Sequence, residues 1–390
     1  MPKKIQLQQA AAADAALIRQ LRRRLLAWYD KNHRDLPWRA KKGQAANPYH
    51  VFVSEAMLQQ TQVATVIDYF NRFIKQFPTV QHLAAANEQS VLSLWQGLGY
   101  YRRARNLHAA AKQIVNQHDG LVPDSVDSLL DLPGVGKYTA GAIASIAHGV
   151  AAPILDGNVA RVLARWFAIE KPIDEKTVRD QLWHLAEKLV PQNRPGDFNQ
   201  ALMELGALIC APKSPQCLVC SIKPMCEADK RGVSAKLPKR LPRRKPKPVD
   251  HHTFILQKAS QYLFQQRPSE GLWSNMWQMP TAESFDLPET KEDSSKTTRA
   301  TTATTMRVTT SLIKKWIQQN LGVQISKVTR SDVFEHATTH RSITFTTWKC
   351  AFDGGRLKRG VGKWLRLNQA ASLPMSNPQR KIIKSVEDTA

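Results

Sequence analysis

The sequence has little cysteine, no long apolar run and a shortage of acidic side chains. It holds five cysteines in 390 residues, and four of them lie in one short segment. That grouping does not resemble a disulfide framework, so we expect a reducing, cytoplasmic environment. No apolar run approaches 18 residues, which excludes a transmembrane helix. The first residues lack the compact apolar segment of a secretion signal, so we do not expect export.

The charge balance is strongly basic. Lys and Arg total 56 against 32 Asp and Glu, which gives a net charge of +24 and a pI of about 10.0. Such an excess concerns partners and not fold. Nucleic acid is the first expectation, and an anionic membrane surface is the second. Hydrophobic residues make up 42%, enough for packed cores, and the length favours two or three domains.

Up to about residue 235 the apolar spacing is helical. Apolar residues three and four apart predict helices between Leu17 and Tyr29 and between Val63 and Ile74. Asn47-Pro48 is typical of a helix start, with a capping side chain followed by proline in the first turn. No segment before 250 has a convincing strand pattern.

A basic, proline-rich segment at 236–250 predicts a semi-rigid linker, which either acts as a solvated spacer or also lies along phosphates. Beyond it, 251–372 predicts an α+β domain. Alternating residues at 251–268 and 343–352 indicate strands, and 311–320 indicates a helix. The polar, threonine-rich stretch 281–310 predicts a mobile insertion, and 373–390 is assigned to a tail.

Residues 131–141, DLPGVGKYTAG, predict a tight turn between two helices. Gly134 and Gly136 bracket Val135, and glycine permits a bare backbone with positive φ. Such a turn can direct the amides of the following helix, from Lys137 onward, at a phosphate. The alternative is a turn that only changes the chain direction.

Two carboxylates stand in apolar surroundings. Glu55 lies in VSEAMLQQTQV, where desolvation can raise its pKa and make it a proton donor at neutral pH. Asp156 ends an apolar stretch in APILDGNVARVLAR. Their alternatives are a charge at the rim of a helix for Glu55 and a helix N-cap for Asp156. Together they form the acid and the stabilising anion that cleavage of a sugar–heteroatom bond requires.

Cys210, Cys217, Cys220 and Cys226 follow the spacing C-x6-C-x2-C-x5-C. Four thiolates within 17 residues can bind one soft metal centre. A structural zinc site usually has two separated pairs, whereas one C-x2-C with two flanking single cysteines favours a 4Fe–4S cluster. The fifth, Cys350, is expected to be an inert core thiol.

These motifs together resemble those of the helix–hairpin–helix glycosylases related to endonuclease III, and within them the adenine DNA glycosylases of the MutY type. The likeness is carried by RDLPWR at 34–39, SEAMLQQTQV at 54–63, GLGYYRRARNLH at 97–108, LDGNVARVLAR at 155–165 and FNQALMELGALIC at 198–210. It is strong over 17–235 and looser over 251–370.

The resemblance implies a mainly α catalytic region at 1–235, with a six-helix barrel at about 47–150 and a cluster domain built from 1–46 and 151–235. It also implies an α+β C-terminal domain of the MutT (Nudix) type. No full Nudix box is present, so we expect no pyrophosphate hydrolysis there. The partner would be double-stranded DNA, the cofactor one 4Fe–4S cluster, and the protein a monomer associated with the nucleoid if it is bacterial.

The implied reaction is removal of adenine mispaired with 8-oxoguanine or guanine. Glu55 would protonate the adenine, Asp156 would stabilise the sugar cation, and Asn158 would position neighbouring groups. Tyr138 stands where the lyase relatives carry lysine. Because a phenol forms no Schiff base, the enzyme would be monofunctional.

Base flipping needs side chains that fill the gap and a pocket that receives the base. The family's inserting residues correspond to Gln60, Leu98 and Tyr100, for which ordinary packing is the alternative. The candidate adenine pocket consists of Arg34, Trp38, Arg39, Leu58 and Gln200. The family usually has Phe-Ser-His where this chain has Thr338, Thr339 and His340, the loop expected to contact 8-oxoguanine.

Two other functions fit parts of the sequence. An endonuclease III-like glycosylase/lyase is disfavoured by Tyr138 and by the second domain. A non-catalytic DNA-binding iron–sulfur protein is disfavoured by the presence of both Glu55 and Asp156.

Overall fold

A computed structural model describes residues 14–41, 44–242, 245–283 and 308–388. The chain divides into two compact units, residues 1–94 with 100–243, and residues 95–99 with 244–390. The first unit is helical and the second is α+β, which confirms the predicted fold class. None of the described helices combines the length and the apolar composition that a membrane span requires.

The first unit is built from helices of very different length. They are α1 (Ala15–Asn32), α2 (Pro48–Leu58), α3 (Val63–Gln76), α4 (Val80–Ala85), α5 (Glu88–Leu94), α6 (Arg102–Gln117), α7 (Val126–Leu130), α8 (Lys137–His148), α9 (Gly157–Trp166), α10 (Lys176–Leu189), α11 (Pro195–Leu208) and α12 (Glu227–Lys230). Short 3-10 turns lie at Cys217–Val219, Lys223–Met225 and Ser234–Lys236.

The predicted helix starts and faces are present. The Asn47 side chain accepts from the amides of Tyr49 and His50, which satisfies two groups that the helix leaves open. In α3, Val66, Phe70 and Phe73 are buried on one face, as the apolar spacing predicts.

One core of this unit joins the beginning of the chain to a much later segment. Leu21 and Leu25 of α1 lie in the same apolar cluster as Val162 of α9, Leu182 of α10 and Phe198 of α11. Segments before 47 and after 150 therefore share a core.

The second unit is organised around one mixed sheet. Its strands are β1 (Lys247–Lys258), β2 (Gln261–Gln266), β3 (Trp277–Gln278), β4 (Thr281–Glu283), β5 (Val323–Ala337), β6 (Arg341–Gly355) and β7 (Lys363–Leu365). The helices are α13 (Thr310–Leu321), α14 (Leu367–Ala370) and α15 (Asn377–Glu387). The main strand order is β3-β2-β1-β6-β5, with β4 paired to β1 and β7 to β2.

The sheet has helices on both faces. Strands β1 and β6 run parallel, with Lys247 opposite Arg341 and Gln257 opposite Ala351, whereas β5 and β6 are antiparallel. Ile313 and Ile317 of α13 belong to the core on one face. Ile382 and Ile383 of α15 belong to the core on the other.

Three boundaries differ from the expected ones. The strand β1 begins at Lys247, so the last residues of the predicted linker 236–250 belong to the sheet. The predicted tail 373–390 contains α15, whose apolar face is buried in the core of the second unit. Of the predicted insertion 281–310, its first three residues form β4, and 284–307 lies outside the described residues.

Candidate active site

The helix α2 carries Glu55 into the protein interior. The residue is 4% exposed and lies beside buried Ser54 and Ala56. Its Oε2 has no hydrogen-bond partner among the described residues. Burial raises the pKa of Glu55 to about 7, the charge of Asp156 adds to this, and a hydrogen bond from Tyr138 and the charge of Arg39 oppose it. The carboxyl is therefore poised to hold a proton near neutral pH.

Asp156 is the N-cap of α9. Its Oδ1 accepts from the Val159 amide at 2.7 Å, and its Oδ2 accepts from Asn158 Nδ2 at 3.0 Å. Burial raises the pKa of Asp156, while these two hydrogen bonds and the charge of Arg161 lower it. The expected N-cap and the expected site carboxylate are thus the same residue. Both oxygens of Asp156 accept a hydrogen bond, whereas Glu55 Oε2 accepts none from the described residues.

Asn158 is itself held by an arginine that the sequence analysis did not select. Arg161 Nη2 donates to Asn158 Oδ1 at 2.9 Å and to the Gly206 carbonyl at 2.8 Å. Its Nε donates to the Cys210 carbonyl at 2.8 Å. Arg161 therefore directly links Asn158, which donates to Asp156, with Cys210, the first cysteine of the cluster motif.

The hairpin brings Tyr138 to the two carboxylates. Burial and the charges of Glu55 and Asp156 hold the pKa of Tyr138 well above 10, so the phenol stays neutral. Its hydroxyl also lies 3.2 Å from Met203 Sδ. The charges of Glu55 and Asp156 thus act on Tyr138, although the three residues lie far apart in the sequence.

The hairpin backbone needs one glycine for its conformation. Gly134 has φ +78, and a Cβ there would approach Asn106 Nδ2 to 2.5 Å. Gly136 has an ordinary φ of −102 and caps α8 without a side-chain hydrogen bond, so the expectation of positive φ holds only for Gly134. Val135 is buried, and exposed Lys137 lies with Nζ 4.2 Å from the Trp183 ring centroid.

Two of the predicted pocket arginines converge on Glu204, a residue that was not predicted. Arg34 donates through Nε at 3.0 Å and through Nη2 at 2.9 Å to the two oxygens of Glu204. Arg39 Nη2 donates to Oε1 at 2.7 Å, and its Nε donates to Gln200 Oε1 at 3.0 Å. Glu204 stands four residues after Gln200 on α11, so helical spacing could have placed it on the same face.

The remaining predicted pocket residues, Trp38 and Leu58, differ in how deeply they are buried. Trp38 is 7% exposed, and its ring lies 5.3 Å edge-on from that of Phe70. Leu58 is half-buried.

The predicted inserting residues differ in exposure. Gln60 is exposed with φ +58, Tyr100 is 48% exposed with φ +50, and Leu98 is buried. Left-handed backbone at non-glycine residues is uncommon and marks sites that the surroundings hold in place.

The four clustered cysteines line one cavity, together with Arg165, Trp166 and other residues of the same loops. Burial raises the pKa values of Cys217, Cys220 and Cys226, and the charge of Cys210 adds to each shift. Arg165 Nη1 lies 3.2 Å from Cys210 Sγ. Raised pKa values favour the neutral thiols, and a bound cation would shift them towards the thiolate form.

In the second unit, the loop 338–340 joins β5 to β6. The Thr338 hydroxyl donates to the Arg341 carbonyl at 3.1 Å and accepts from the Arg341 amide at 3.0 Å. Thr339 and His340 are exposed. Thr338 therefore shapes the turn, while the next two residues present their side chains on the surface. Cys350 is buried, as expected.

Comparisons with known proteins agree with this architecture. Residues 53–188 match the model of the HhH-GPD superfamily base excision DNA repair protein, and residues 252–385 match a NUDIX domain. The chain thus has the two-domain make-up of a base excision DNA repair protein with a NUDIX domain behind its helical region.

The chain is 33% identical to the adenine DNA glycosylase of Rattus norvegicus, over 96% of this chain and 80% of the relative. It is 32% identical to that of Buchnera aphidicola subsp. Baizongia pistaciae, over 93% of this chain and 95% of the relative. A solved thermostable thymine-DNA glycosylase is 29% identical, with a TM-score of 0.49 over 55% of this chain and 97% of that one. The chain belongs to the adenine DNA glycosylase family and is an adenine-specific DNA N-glycosylase.

Proposed function

We propose that the enzyme excises adenine paired with 8-oxoguanine, or with guanine, from double-stranded DNA and leaves an abasic site. The observation that carries the proposal is the contrast between the carboxyls of buried Glu55 and half-buried Asp156. Burial raises the pKa of both carboxyls. The pKa of Glu55 rises to about 7, and one of its oxygens has no donor among the described residues, whereas hydrogen bonds from an amide and Asn158 and the charge of Arg161 oppose the rise at Asp156. A pair whose surroundings differ in this way divides into an acid and an anion.

Glu55 acts as the general acid. It donates its proton to a ring nitrogen of the flipped adenine, and the bond between that base and the sugar then breaks with its electron pair on the base. Asp156 stays ionised and stabilises the positive charge that develops on the sugar, and water completes the hydrolysis. Tyr138 donates to Glu55 and forms no Schiff base, so the enzyme is a monofunctional glycosylase.

The flipped adenine lies in the pocket made by Arg34, Trp38, Arg39, Leu58 and Gln200. Glu204 fixes both arginines, and Arg39 in turn orients the Gln200 amide, which reads the edge of the base. Gln60, Leu98 and Tyr100 occupy the gap that the base leaves, and the amides after Gly134, Val135 and Gly136, with Lys137, bind the phosphate backbone.

The four cysteines hold one 4Fe–4S cluster. In the described residues, no group of three or more His, Cys, Asp or Glu side chains is arranged to hold a single metal ion. Cys210, Cys217, Cys220 and Cys226 instead surround a shared cavity, as a cluster with one thiolate for each iron requires. A bound cluster would supply a rigid centre for the loop 210–226.

The cluster is tested by iron and zinc analysis of anaerobically purified protein. We expect iron, inorganic sulfide and visible thiolate-to-iron absorbance, all lost in Cys217→Ser and kept in Cys350→Ala. Stoichiometric zinc without iron would rule the cluster out.

The substrate is tested on duplexes that differ only in the base opposite adenine. Incubated DNA is analysed with and without alkali, because an abasic site breaks in alkali whereas a lyase breaks the strand without it. We expect alkali-dependent breaks that are fastest opposite 8-oxoguanine. Equal rates opposite 8-oxoguanine and thymine would contradict the assigned pairing, and alkali-independent breaks would contradict a monofunctional reaction.

A further inference from the structure

Arg103, on α6, caps the C-terminal end of α2, the helix that carries Glu55. It is 8% exposed, and its Nη1 donates to the carbonyls of Ala56 at 3.0 Å, Met57 at 2.6 Å and Gln59 at 2.6 Å. The last carbonyls of a helix have no amide partners within it. One buried guanidinium therefore satisfies the open carbonyls at the C-terminal end of α2. Gln60 lies three residues after Met57.

The same side chain also holds two separate loops. Its Nη2 donates to Thr61 Oγ1 at 3.2 Å, and its Nε lies 3.4 Å from the Tyr100 carbonyl. The Arg103 amide donates to that carbonyl at 2.9 Å, and the Tyr100 ring centroid lies 5.5 Å from Arg103 Cζ. Arg103 thus joins the segment after α2 to the segment before α6.

Each of these loops contains an exposed residue in strained backbone. Gln60 has φ +58 and Tyr100 has φ +50. Such conformations persist where the surrounding structure over-determines them. The partners of Arg103 lie on both sides of Gln60, at Gln59 and Thr61, and on Tyr100 itself, so one side chain contacts both strained segments.

The guanidinium keeps its charge in this position. Burial lowers the pKa of Arg103 to about 10, which is still well above neutral pH. The partial negative charge at the C-terminus of α2 stabilises the cation. The planar fork of arginine matches several acceptors at once, which a lysine ammonium does not.

We propose that Arg103 is a positioning residue that sets the two DNA-inserting loops, around Gln60 and Tyr100, before adenine enters the pocket. The inference rests on the proposed function, in which these two side chains fill the gap left by the flipped base. It assigns the arginine to flipping and not to proton transfer, because its bonds go to the loops and to backbone carbonyls beyond Glu55.

The test compares the full-length enzyme with Arg103→Met and Arg103→Lys, and uses Arg102→Met as the matched control. Arg102 is the exposed neighbour on the same helix, so its variant removes an equal charge. Flipping is followed by the fluorescence of 2-aminopurine placed beside a non-cleavable 2′-fluoro adenine opposite 8-oxoguanine. Single-turnover excision of ordinary adenine is measured across pH, normalised to the active fraction.

We expect Arg103→Met to lower both the flipping signal and the saturated excision rate by roughly tenfold or more. The pH midpoint of excision should stay at the wild-type value, since Glu55 is untouched. Arg103→Lys should recover only part of the flipping signal, and Arg102→Met should keep it.

Equal losses in Arg102→Met and Arg103→Met would overturn the inference in favour of a simple charge effect. Normal flipping with a displaced pH midpoint would overturn it in favour of an effect on Glu55. If Arg103→Met does not fold, Arg103→Lys decides, and normal flipping by that variant overturns the inference. A wild-type enzyme that neither flips the 2′-fluoro adenine nor excises ordinary adenine opposite 8-oxoguanine would instead refute the proposed function.

Discussion

Arg161 Nη2 donates to Asn158 Oδ1 at 2.9 Å. Asn158 in turn donates to Asp156, and Arg161 also binds the Cys210 carbonyl. Arg161, which orients the Asn158 amide that donates to Asp156, is therefore also bonded to the loop that carries the cysteines. This continuity connects the integrity of the cysteine loop to the geometry of the reacting centre.

Replacing Arg161 should separate positioning from binding. Arg161→Lys keeps the charge but cannot reach Asn158, Gly206 and Cys210 together. We expect single-turnover excision to fall by roughly ten- to a hundredfold while affinity for mismatched DNA changes little. Arg240→Lys, an exposed partner of Asp174, is the control. An excision rate within twofold of wild type would show that the link to Asn158 is dispensable.

Glu55 should make excision depend on pH. Because the protonated carboxyl donates, excision should fall as pH rises through about 7, and Glu55→Gln should excise at least 10²-fold more slowly while still binding mismatched DNA. Near-normal excision by this variant would refute the assignment of the acid.

Wild-type stability should also fall as pH rises, so Glu55→Gln, which slows excision, should stabilise the fold above neutral pH. The folded pKa of Glu55 lies above its ordinary 4.5, so the wild type loses stability as pH rises through about 7, whereas Glu55→Gln does not. Above that pH we expect Glu55→Gln to be more stable by on the order of 3 kcal/mol, and below about 4.5 the two should converge. Denaturant unfolding at pH 5 and pH 8 measures the difference, with Glu187→Gln as an exposed control.

Removing the charge of Glu204 leaves Arg34 and Arg39 without their shared carboxylate. Glu204 is 1% exposed in its side chain, and breaking a buried pair on one side costs about 3 kcal/mol. We expect Glu204→Gln to unfold at lower urea and to raise KM for the adenine substrate. The control Glu227→Gln breaks an exposed pair with Lys230 and should cost under about 1 kcal/mol. Equal unfolding midpoints for the two variants would contradict this view of the pocket.

The exposed residues of the loop 338–340 should determine the preference for the opposite base. We expect Thr339→Ala, His340→Ala to keep adenine excision opposite guanine but to lose preference for 8-oxoguanine, by about 2- to 12-fold for each hydrogen bond lost. The measurement is the ratio of affinities for the two duplexes at one salt concentration. Thr338→Val tests the turn instead, since the Thr338 hydroxyl bonds to Arg341 across that turn. An unchanged ratio in the double variant would move recognition elsewhere.

Local chemistry made much of the fold predictable. The cap at Asn47, the strand pair at 251–268 and the helix at 311–320 each follow from spacing within a short segment. The predicted tail was assigned from its position, although Ile382, Ile383 and Val386 already have helical spacing. The sequence also identified Glu55 and Asp156, but only through a family resemblance did it bring them together.

Glu204 and Arg103 show what spacing alone does not reveal. Glu204 meets Arg34 across 170 positions, and Arg103 meets Ala56 across 47. Neither partner has a local pattern that identifies the other. Their roles depend on how helices pack, and that packing is decided by many buried side chains at once.

The shared core of α1 with α9, α10 and α11 has a consequence for synthesis of the chain. Leu21 and Leu25 leave the ribosome early, but Val162 and Phe198, in the same cluster, follow more than a hundred residues later. At about 5–20 residues per second, α1 waits on the order of ten seconds for its partners. During that interval its apolar face is open to chaperones, and closing this long-range contact becomes a late, slow step of folding.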